Sequence, residues 1–408
     1  MSKAAVSGVI ARLATLAQLG RYEGGIDRGL ATAPERAARE HFAAWALAAG
    51  YALSQDRVGN LFARRAGTEP NAAPILTGSH LDTVKTGGAY DGAYGVVGAL
   101  CALESLDARG ARTRHPLDAV AWAGEEGSRF PLGCLGSSVY AGLASVDAAL
   151  ALRDDGGVTF AEALAGLHGL LPQIALHHAQ ASAAYVELHI EQGPIMETAG
   201  VRLGIVSAIA GQRRYRVTVN GRSGHAGTVP MQGRADALCA AAELILAIEA
   251  AARSLGECVV TVGRITVEPG GTNVIPARAV FTIDARSPED ARITAIESAL
   301  YATIGRTSGR GVRVNIESLE ARLPAPMDDR VRAAIRRAAA ASGERSMDIP
   351  SGAGHDAMCI ANVAPAGMIF VPSIGGASHV GEELTSEADL ELGVRALADA
   401  LLEVDRVF

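Results

Sequence analysis

The sequence predicts an α/β protein. Its first, discontinuous domain carries a mixed, largely parallel sheet flanked by helices, and an α+β domain is inserted into it. Three observations lead to this fold class: apolar runs of strand length alternate with helical spacings, half-polar alternating strands replace them in mid-chain, and the first pattern returns near the end. A chain of 408 residues, 49% of them hydrophobic, is long enough for two domains with buried cores.

The first domain is predicted from strands and helices that follow one another along the chain. Helical spacing covers 3–18, 34–49 and 93–107, and Gly50 stands where a helix-ending glycine is expected. Strand-like runs are predicted at 51–55, 60–64, 74–78, 117–123 and 185–190. Because strands that alternate with helices at this pace build βαβ units, we expect a largely parallel sheet.

The inserted domain begins where this pattern changes, near Gly211. The order there is strand, helix, strand, strand, helix, strand, at 213–220, 234–253, 258–266, 278–286, from Pro288 onward, and 312–318. This order predicts an antiparallel four-stranded sheet with two helices on one face. A helix at 328–342, a strand at 366–371 and a helix at 385–404 then resume the first pattern. We therefore place the first domain at 1–210 and 323–408, and the inserted domain at 211–322.

Composition and charge exclude several classes of function. The net charge is −7, and no basic block suggests a nucleic-acid partner. The five cysteines form no C-x-x-C pair, which argues against a disulfide framework or a thiolate zinc site and favours a reducing cytoplasm. No stretch reaches the roughly 18 to 20 apolar residues that cross a bilayer. We expect a cytoplasmic protein without nucleic-acid or membrane partners.

The strongest local signal is the pair His80 and Asp82, which ends a buried-type strand. Ligand sites in open α/β sheets lie beyond the carboxyl ends of the strands. Two residues at i and i+2 on extended backbone share a face, so Asp82 can accept the second ring N–H of a metal-bound His80. The alternative is that both side chains cap the next turn.

An acidic pair, Glu125 and Glu126, follows the strand at 117–123. One carboxylate of such a pair can bind a metal while the other acts as a general base. A solvated loop is the alternative. His189 lies at the end of the predicted strand at 185–190, where a core histidine is the alternative, and His379 follows the predicted strand at 366–371, where a helix N-cap is the alternative.

The joint occurrence of these residues points to metal chemistry. Five candidate ligands lie at loops that follow strands of one predicted domain: His80, Asp91, Glu126, His189 and His379. Nitrogen and oxygen ligands without thiolate suit a pair of zinc-like ions. Two such metals, about 3.5 to 4 Å apart, can share an aspartate and a hydroxide nucleophile, with Glu125 moving the proton.

Competing catalytic signatures are absent from the sequence. There is no G-x-S-x-G, no H-E-x-x-H, no Walker A lysine loop and no G-x-G-x-x-G after a strand. This disfavours a serine hydrolase, a single-helix zincin, an NTPase and a dehydrogenase.

Nine motifs in order resemble the M20/carboxypeptidase-G2-like metallohydrolases, and within them the hydantoinase/carbamoylase amidase group. That group includes N-carbamoyl-L-amino-acid hydrolases, bacterial β-ureidopropionases and allantoate amidohydrolases. The motifs cover nearly the whole chain: GSHLDT at 78–83, YDGA at 90–93, EEGSRF at 125–130, ELHIEQG at 187–193, HAG at 225–227, NVIP at 273–276, DAR at 284–286, GAGHDA at 352–357 and SH at 378–379.

The resemblance implies two divalent metal ions per subunit, Zn²⁺ or else Mn²⁺, Co²⁺ or Ni²⁺. It implies His80, Asp91 and His189 on one ion, and Asp91, Glu126 and His379 on the other. Asp82 would orient His80, and Glu125 would be the general acid/base. It also implies that His225 stabilises the oxyanion and that Gln192 contacts the ureido end of the substrate. The substrate carboxylate would be bound by Arg214, Asn273 and Arg286, and the pocket would be lined by Gly354 and His355.

Alternatives remain for some of these residues. Arg286 could form an ordinary surface ion pair, and Asn273 could serve turn chemistry beside Gly270 and Gly271. The chain departs from the group's usual pattern at Gly124, Ile374 and Val380-Gly381. None of these positions is a ligand, so the departures bear on the substrate rather than on activity.

The resemblance predicts a homodimer, joined through the inserted domain, that hydrolyses the ureido or carbamoyl C–N bond of an N-carbamoyl-L-amino acid or of allantoate and releases ammonia. The motifs around Gly211 and His225 look slightly closer to the allantoate branch. An aminoacylase or dipeptidase of the same fold is the alternative enzyme. A non-catalytic amino-acid-binding relative is disfavoured because Glu125 accompanies a full ligand set.

Overall fold

A computed structural model describes residues 3–168, 174–177 and 180–408, and the chain divides into two compact units. Unit 1 comprises Met1–Ser207, Met327–Ile349 and Ala353–Phe408, and unit 2 comprises Ala208–Pro326 and Pro350–Gly352. The sequence placed the inserted domain at 211–322, and it gave no sign that 350–352 would group with it. Each unit is described by itself below.

The helices of the described residues are labelled in chain order: α1 (Lys3–Leu16), α2 (Ala33–Ala48), α3 (Ala93–Ala108), α4 (Leu135–Tyr140), α5 (Val146–Leu150), α6 (Phe160–His168), α7 (Ile195–Ala199), α8 (Ala237–Leu255), α9 (Asp290–Thr307), α10 (Asp329–Ala341), α11 (Asp356–Ile360) and α12 (Glu387–Val407). None of them is long and apolar enough to cross a membrane.

The strands of the same residues are β1 (Arg21–Tyr22), β2 (Gly25–Ile26), β3 (Ala52–Gln55), β4 (Leu61–Arg65), β5 (Ile75–His80), β6 (Leu117–Trp122), β7 (Ala175–Leu176), β8 (Ala184–Ile190), β9 (Leu203–Ile209), β10 (Gly211–Asn220), β11 (Gly224–His225), β12 (Val259–Thr261), β13 (Ile265–Glu268), β14 (Val274–Ile275), β15 (Arg278–Ser287), β16 (Arg313–Arg322), β17 (Ala325–Pro326), β18 (Ser346–Ser351) and β19 (Ala366–Val371).

The main sheet of unit 1 has the order β9-β19-β8-β5-β6-β4-β3-β7. Its central strands β19, β8, β5 and β6 run parallel, whereas β4 pairs antiparallel with both β6 and β3. The register pairs His80 with Trp122 and His189 with Phe370, so the carboxyl ends of the central strands meet at one edge of the sheet. The predicted mixed, largely parallel sheet is confirmed.

The central strands are buried on both faces, which explains why they read as continuous apolar runs rather than as alternating ones. Every residue of β5, β6, β8 and β19 is buried. Gly78 has a φ of +152°, and a Cβ there would lie 1.9 Å from the carbonyl oxygen of Val120 on β6. Only glycine allows this close approach of the two strands.

Unit 2 contains an antiparallel sheet in the order β12-β15-β10-β16, and β13 also pairs with β15. Helices α8 and α9 contribute to the hydrophobic core of this unit with the alternate, buried residues of β15. The helix α8 begins at Ala237 rather than at 234 because the Asp236 side chain accepts hydrogen bonds from the N–H groups of Leu238 and Cys239.

The predicted single strand at 258–266 is wrong, because two strands occupy this region. β12 pairs with 284–286 of β15, and β13 pairs with 278–281. Three residues, 262–264, therefore lie opposite only two residues of β15, 282 and 283. The extra residue interrupts the hydrogen-bonded pairing between β12 and β13. The sheet consequently has five strands instead of the four expected.

Candidate metal site

The structure places every predicted metal ligand of unit 1 at the carboxyl edge of the main sheet. The positions are His80 at the end of β5, Glu126 after β6, His189 in β8, His379 after β19 and Asp91 before α3. Strand ends supply rigid positions, and the loops that follow them supply the acidic side chains. The fold therefore concentrates at one edge residues that lie far apart in the chain.

Two groups of side chains are close enough to hold a metal ion each. The first group contains His80, Asp91 and His189, and the second contains Asp91, Glu126 and His379. In each group the candidate ligand atoms lie within 4.8 Å of one another. Asp91 belongs to both groups. These are the two sets that the resemblance implied, and the structure brings the members of each set together.

Asp91 directs one carboxylate oxygen toward each group. Its Oδ1 lies 3.2 Å from Nε2 of His189 and 3.8 Å from Nε2 of His80, and its Oδ2 lies 3.2 Å from Nε2 of His379. Burial opposes ionisation, but the neighbouring His189 and His379 side chains hold the pKa of the Asp91 carboxyl well below its usual value. An ionised carboxylate that directs one oxygen toward each group could serve as a ligand in both of them.

The two buried histidines present the same ring nitrogen to the site. Nδ1 of His80 lies 2.9 Å from the carbonyl oxygen of Asp82, and Nδ1 of His189 lies 2.9 Å from that of Ile190. In the neutral ring, an N–H at Nδ1 that donates to a carbonyl leaves the lone pair on Nε2. The N–H of Gly92 also donates to Nε2 of His189 at 3.2 Å, which requires a lone pair there.

The two members of the acidic pair take different positions. Oε2 of Glu126 lies 3.6 Å from Nε2 of His379, within the second group. Oε2 of Glu125 lies 3.9 Å from Nε2 of His80, and its Oε1 accepts a hydrogen bond from the Cys134 thiol at 3.2 Å. Burial raises the pKa of Glu125. Glu125 therefore lies beside the ligand groups without belonging to either.

The donor set fits divalent cations. Burial raises the pKa of Glu126 well above its usual value, and repulsion from the charges of Asp91 and Glu125 adds to this rise. A bound cation would compensate these clustered carboxylates. The groups offer imidazole nitrogen and carboxylate oxygen without thiolate, which are the ligands that Zn²⁺, Mn²⁺, Co²⁺ and Ni²⁺ accept.

Asp82 contacts the acidic loop more closely than it contacts His80. Its carboxylate accepts hydrogen bonds from the N–H groups of Glu125 at 3.1 Å and Glu126 at 3.2 Å. Nδ1 of His80 is 3.5 Å from the Asp82 carboxylate but only 2.9 Å from the Asp82 carbonyl oxygen. The sequence assigned the orientation of His80 to the carboxylate. In the structure the main-chain carbonyl is the nearer acceptor, because the carboxylate faces the loop after β6.

Gln192 and His379 adopt backbone angles that are rare for residues other than glycine, with φ of 60° and 58°. Nε2 of Gln192 donates to Oδ2 of Asp91 at 2.8 Å. Oε1 of Gln192 is buried and has no hydrogen-bond partner in the described part of the chain. This amide oxygen is therefore available to an N–H group of a ligand.

The predicted pocket residues Gly354 and His355 differ in exposure. Gly354 is half-buried, whereas His355 is buried with its ring centroid 4.5 Å from that of His189, in an edge-on contact. Burial lowers the pKa of His355 well below its usual value. Glu187, His189 and His355 form a third group with metal-ligand spacing. The sequence did not indicate it, because Glu187 lies inside a fully buried strand.

Glu383 is a further residue of this site that sequence reasoning missed. Its Oε1 accepts hydrogen bonds from the N–H groups of Tyr90 at 2.8 Å and Asp91 at 3.1 Å, and its Oε2 accepts one from the Ser378 hydroxyl at 3.0 Å. The buried carboxylate thereby connects the loop of Asp91 with the loop of His379. Its one sequence signal is that it follows the Ser378-His379 motif closely.

In unit 2, Arg214 and Arg286 both contact Asp284 and line a cavity of about 600 Å³. Nε of Arg286 lies 3.0 Å from Oδ1 of Asp284, and Nε of Arg214 lies 3.0 Å from Oδ2. Arg214 also contacts Glu320 at 2.9 Å, whereas Arg286 donates to the carbonyl oxygen of Gly352 at 3.1 Å. Two carboxylates thus compensate Arg214, whereas Asp284 alone compensates Arg286, to which both of its oxygens are hydrogen-bonded.

The strands β11 and β14 bring His225 and Asn273 together within unit 2. The main-chain N–H of Ala226, the residue after His225, donates to the carbonyl oxygen of Asn273 at 2.9 Å. Nδ1 of His225 accepts hydrogen bonds from the N–H groups of Gly227 at 3.0 Å and Thr228 at 3.2 Å. In the neutral ring the proton therefore resides on Nε2, which makes this exposed side chain a hydrogen-bond donor.

Comparisons with known proteins identify the family of this chain. The family model of peptidase family M20/M25/M40 matches residues 76–403. The chain is 39% identical over 387 residues to an N-carbamoyl-L-amino-acid amidohydrolase of Paenarthrobacter aurescens, with 94% of each chain covered. It is 42% identical over 353 residues to an allantoate amidohydrolase of Bacillus subtilis, covering 86% of this chain and 85% of that protein.

A solved structure shares the fold over nearly the full length. A hydantoinase/carbamoylase family amidase of Burkholderia multivorans superposes with a TM-score of 0.93 at 36% identity, covering 98% of this chain and 97% of that chain. Family model, curated relatives and solved structure agree on the family that the nine motifs indicate. The chain therefore belongs to the M20 peptidase family and, within it, to the hydantoinase/carbamoylase amidase group.

Proposed function

We propose that this chain is a metal-dependent amidohydrolase that cleaves the ureido or carbamoyl C–N bond of an N-carbamoyl-L-amino acid or of allantoate. The products include ammonia, together with CO₂ when the substrate is a carbamoyl amino acid. The observation that carries the proposal is the pair of ligand groups sharing Asp91, with Glu125 beside them. The names of the relatives, an N-carbamoyl-L-amino-acid amidohydrolase and an allantoate amidohydrolase, support this choice of substrates.

The ligand groups would hold two divalent ions per subunit. Such ions supply a lowered pKa for a water molecule and polarisation of the substrate carbonyl. Glu125 accepts the proton of the attacking water and returns it to the departing nitrogen, as a general base and then a general acid. The raised pKa of this buried carboxyl favours the second of these roles. Asp82 holds the loop of Glu125 in place through two main-chain hydrogen bonds.

Substrate recognition is assigned to side chains with free or shareable hydrogen-bonding capacity. The buried Oε1 of Gln192 accepts an N–H of the ureido group. Arg286 binds the substrate carboxylate as a bidentate donor, with Asn273 and Arg214 as further polar partners. The remaining assignments are pocket lining by Gly354 and His355 and donation by Nε2 of His225 to the oxyanion.

A homodimer through the inserted domain completes the proposal. β16 lies at one edge of the sheet of unit 2 and has an exposed face. An antiparallel edge strand can pair with its copy across a two-fold axis. In this assembly unit 2 combines dimerisation with the role of a lid.

A substrate panel tests the proposed reaction. Purified protein, reconstituted with Mn²⁺ or Zn²⁺, is incubated with N-carbamoyl-L-amino acids, allantoate, ureidoglycolate and N-carbamoyl-β-alanine, and ammonia is measured. N-acetyl amino acids and dipeptides, assayed for amine release, form the comparison set. Ammonia from a ureido compound is the expected result. Amine release without ammonia would instead identify an aminoacylase or dipeptidase.

A further inference from the structure

Two buried thiols lie behind the proposed general base. Cys134 precedes α4, and its thiol donates to Oε1 of Glu125 at 3.2 Å. Its main-chain N–H donates to the carbonyl oxygen of Glu125 at 2.7 Å. Cys134 also has a φ of 50°, which places it in the left-handed region. Side chain and main chain therefore both tie this cysteine to Glu125.

The second thiol belongs to Cys359 on α11. Cys134 and Cys359 share one small buried cluster with Ala141. Interaction with the neighbouring Cys134 side chain lowers the pKa of Cys359 to about 7, and interaction with Cys359 together with burial raises the pKa of Cys134. The Ser138 hydroxyl lies 3.3 Å from Sγ of Cys359. The pair thus combines a thiol with a neighbouring sulfur that ionises readily.

We propose that Cys134 and Cys359 form an oxidation site at which a hydroperoxide converts the two thiols into a disulfide, removing a hydrogen-bond donor from Glu125. The Cys359 thiolate attacks the O–O bond of hydrogen peroxide, which gives a sulfenic acid and, after protonation, one water. The Cys134 thiol then attacks the sulfenic sulfur, forming the S–S bond and releasing a second water. Two thiols lose two electrons and two protons, and one peroxide is reduced.

The other three cysteines lack this combination. Burial raises the pKa of Cys101 to about 12, and it also raises the pKa of Cys239 and of Cys258. Because the thiolate is the reactive form, these cysteines react more slowly with peroxide. Cys239 is nevertheless exposed, so it serves as a matched control for an accessible thiol outside the buried pair.

Disulfide formation is expected to act on turnover rather than on substrate binding. Cys134 is a positioning residue, since its thiol is hydrogen-bonded to Glu125 and, among the described residues, to none of the side chains assigned to the substrate. Loss of one hydrogen bond to a charged carboxylate lowers kcat by about tenfold and leaves KM within about twofold. This effect on kcat rests on the proposed function, whereas formation of the disulfide does not.

The experiment treats the metal-loaded protein with hydrogen peroxide, blocks free thiols, and maps peptides without reduction. A linked peptide containing Cys134 and Cys359, a fall in the kcat of ammonia release, and recovery of both by dithiothreitol are expected. Cys359→Ser keeps the basal kcat and resists peroxide, whereas Cys239→Ser remains sensitive. Absence of the linked peptide would overturn the oxidation site, whatever the substrate proves to be.

Two variants separate the positioning role from a structural one. Cys134→Ala lowers kcat with KM unchanged, and Cys134→Ser, which retains a donor, recovers most of the loss. A linked peptide that forms without any change in kcat would overturn the control of Glu125. If unoxidised protein releases no ammonia from any ureido compound, the proposed function fails, while the linked peptide still decides the oxidation site.

Discussion

At the residue scale, each side chain of the candidate site directs a particular atom toward its neighbours. Main-chain carbonyls fix Nδ1 of His80 and of His189, so Nε2 of both rings faces Asp91. Asp91 divides its two oxygens between the ligand groups. Glu125 remains outside both groups, with its own hydrogen-bond partner in Cys134. The candidate site thus separates the proposed metal ligands from the proposed general base.

The variant Glu125→Gln tests this separation. The amide keeps the size of the side chain and an acceptor for Cys134, but it cannot take up the proton of the attacking water. We expect kcat to fall by about 10²- to 10⁴-fold, the usual contribution of a general base, with metal content unchanged. Turnover and metal analysis on the same sample measure both quantities. Glu126→Gln is the matched control and should lose metal. An unchanged kcat in Glu125→Gln would refute the assigned role.

The sequence predicts the candidate metal ligands and the general base, but not the groups that hold them in position. The ligands lie in short motifs after strands, so their residue types and positions carried the signal. Glu383 and Cys359 contact residues far away in the chain, Asp91 and Cys134, and the sequence marks them only weakly, Glu383 by its position after the Ser378-His379 motif. The acceptor nearest to Nδ1 of His80 is a main-chain carbonyl, and such a contact cannot be predicted from the type of any side chain.

At the scale of elements, the carboxyl ends of the parallel strands and the start of α3 build the site. Helix α3 begins after Gly92, which has a φ of 63°. A Cβ at Gly92 would lie 2.4 Å from the ring of His80. The glycine therefore permits both the turn and the close approach of the helix to a ligand.

Gly92→Ala should displace the His80 ring and weaken metal binding by about 10- to 100-fold, as changes next to metal ligands commonly do. Titration calorimetry of the metal-stripped protein measures this affinity. Gly110→Ala is the control, since Gly110 has a similar φ of 62° but a Cβ there would meet no atom of the described residues within 4 Å. Equal metal affinity in the two variants would contradict the steric explanation.

Element types followed from the sequence better than element ends did. The buried strands and long helices have strong apolar patterns, and the structure contains them. The start of α8 and the division between β12 and β13 depend on a capping side chain and on an extra residue in the ladder. β9 and β18 were not predicted at all. Their pairing with each other is a tertiary property.

At the scale of the whole molecule, the candidate metal ligands belong to unit 1, whereas the residues proposed to bind the substrate carboxylate and the oxyanion belong to unit 2. The sequence indicated this division through the change from continuous to alternating apolar patterns. It could not assign 350–352, because three residues carry no period and their grouping follows from contacts with 208–326.

Sedimentation tests the proposed homodimer. At micromolar concentration the protein is expected to sediment with twice the mass of one chain. Leu319 is an exposed apolar residue of β16, and Leu319→Lys should weaken the dimer because charge on an edge strand opposes pairing. Leu47→Lys, at an exposed leucine of α2 in unit 1, is the control. A monomer at all concentrations would refute the dimer.

The metal dependence of ammonia release tests the two-metal hydrolase most directly. The protein is stripped with EDTA and then titrated with Mn²⁺ or Zn²⁺ while ammonia from the best ureido substrate is measured. We expect no turnover in the stripped protein, with full activity returning as two ions per chain are bound. Ammonia release that is equally fast in stripped and reconstituted protein would contradict the proposed reaction.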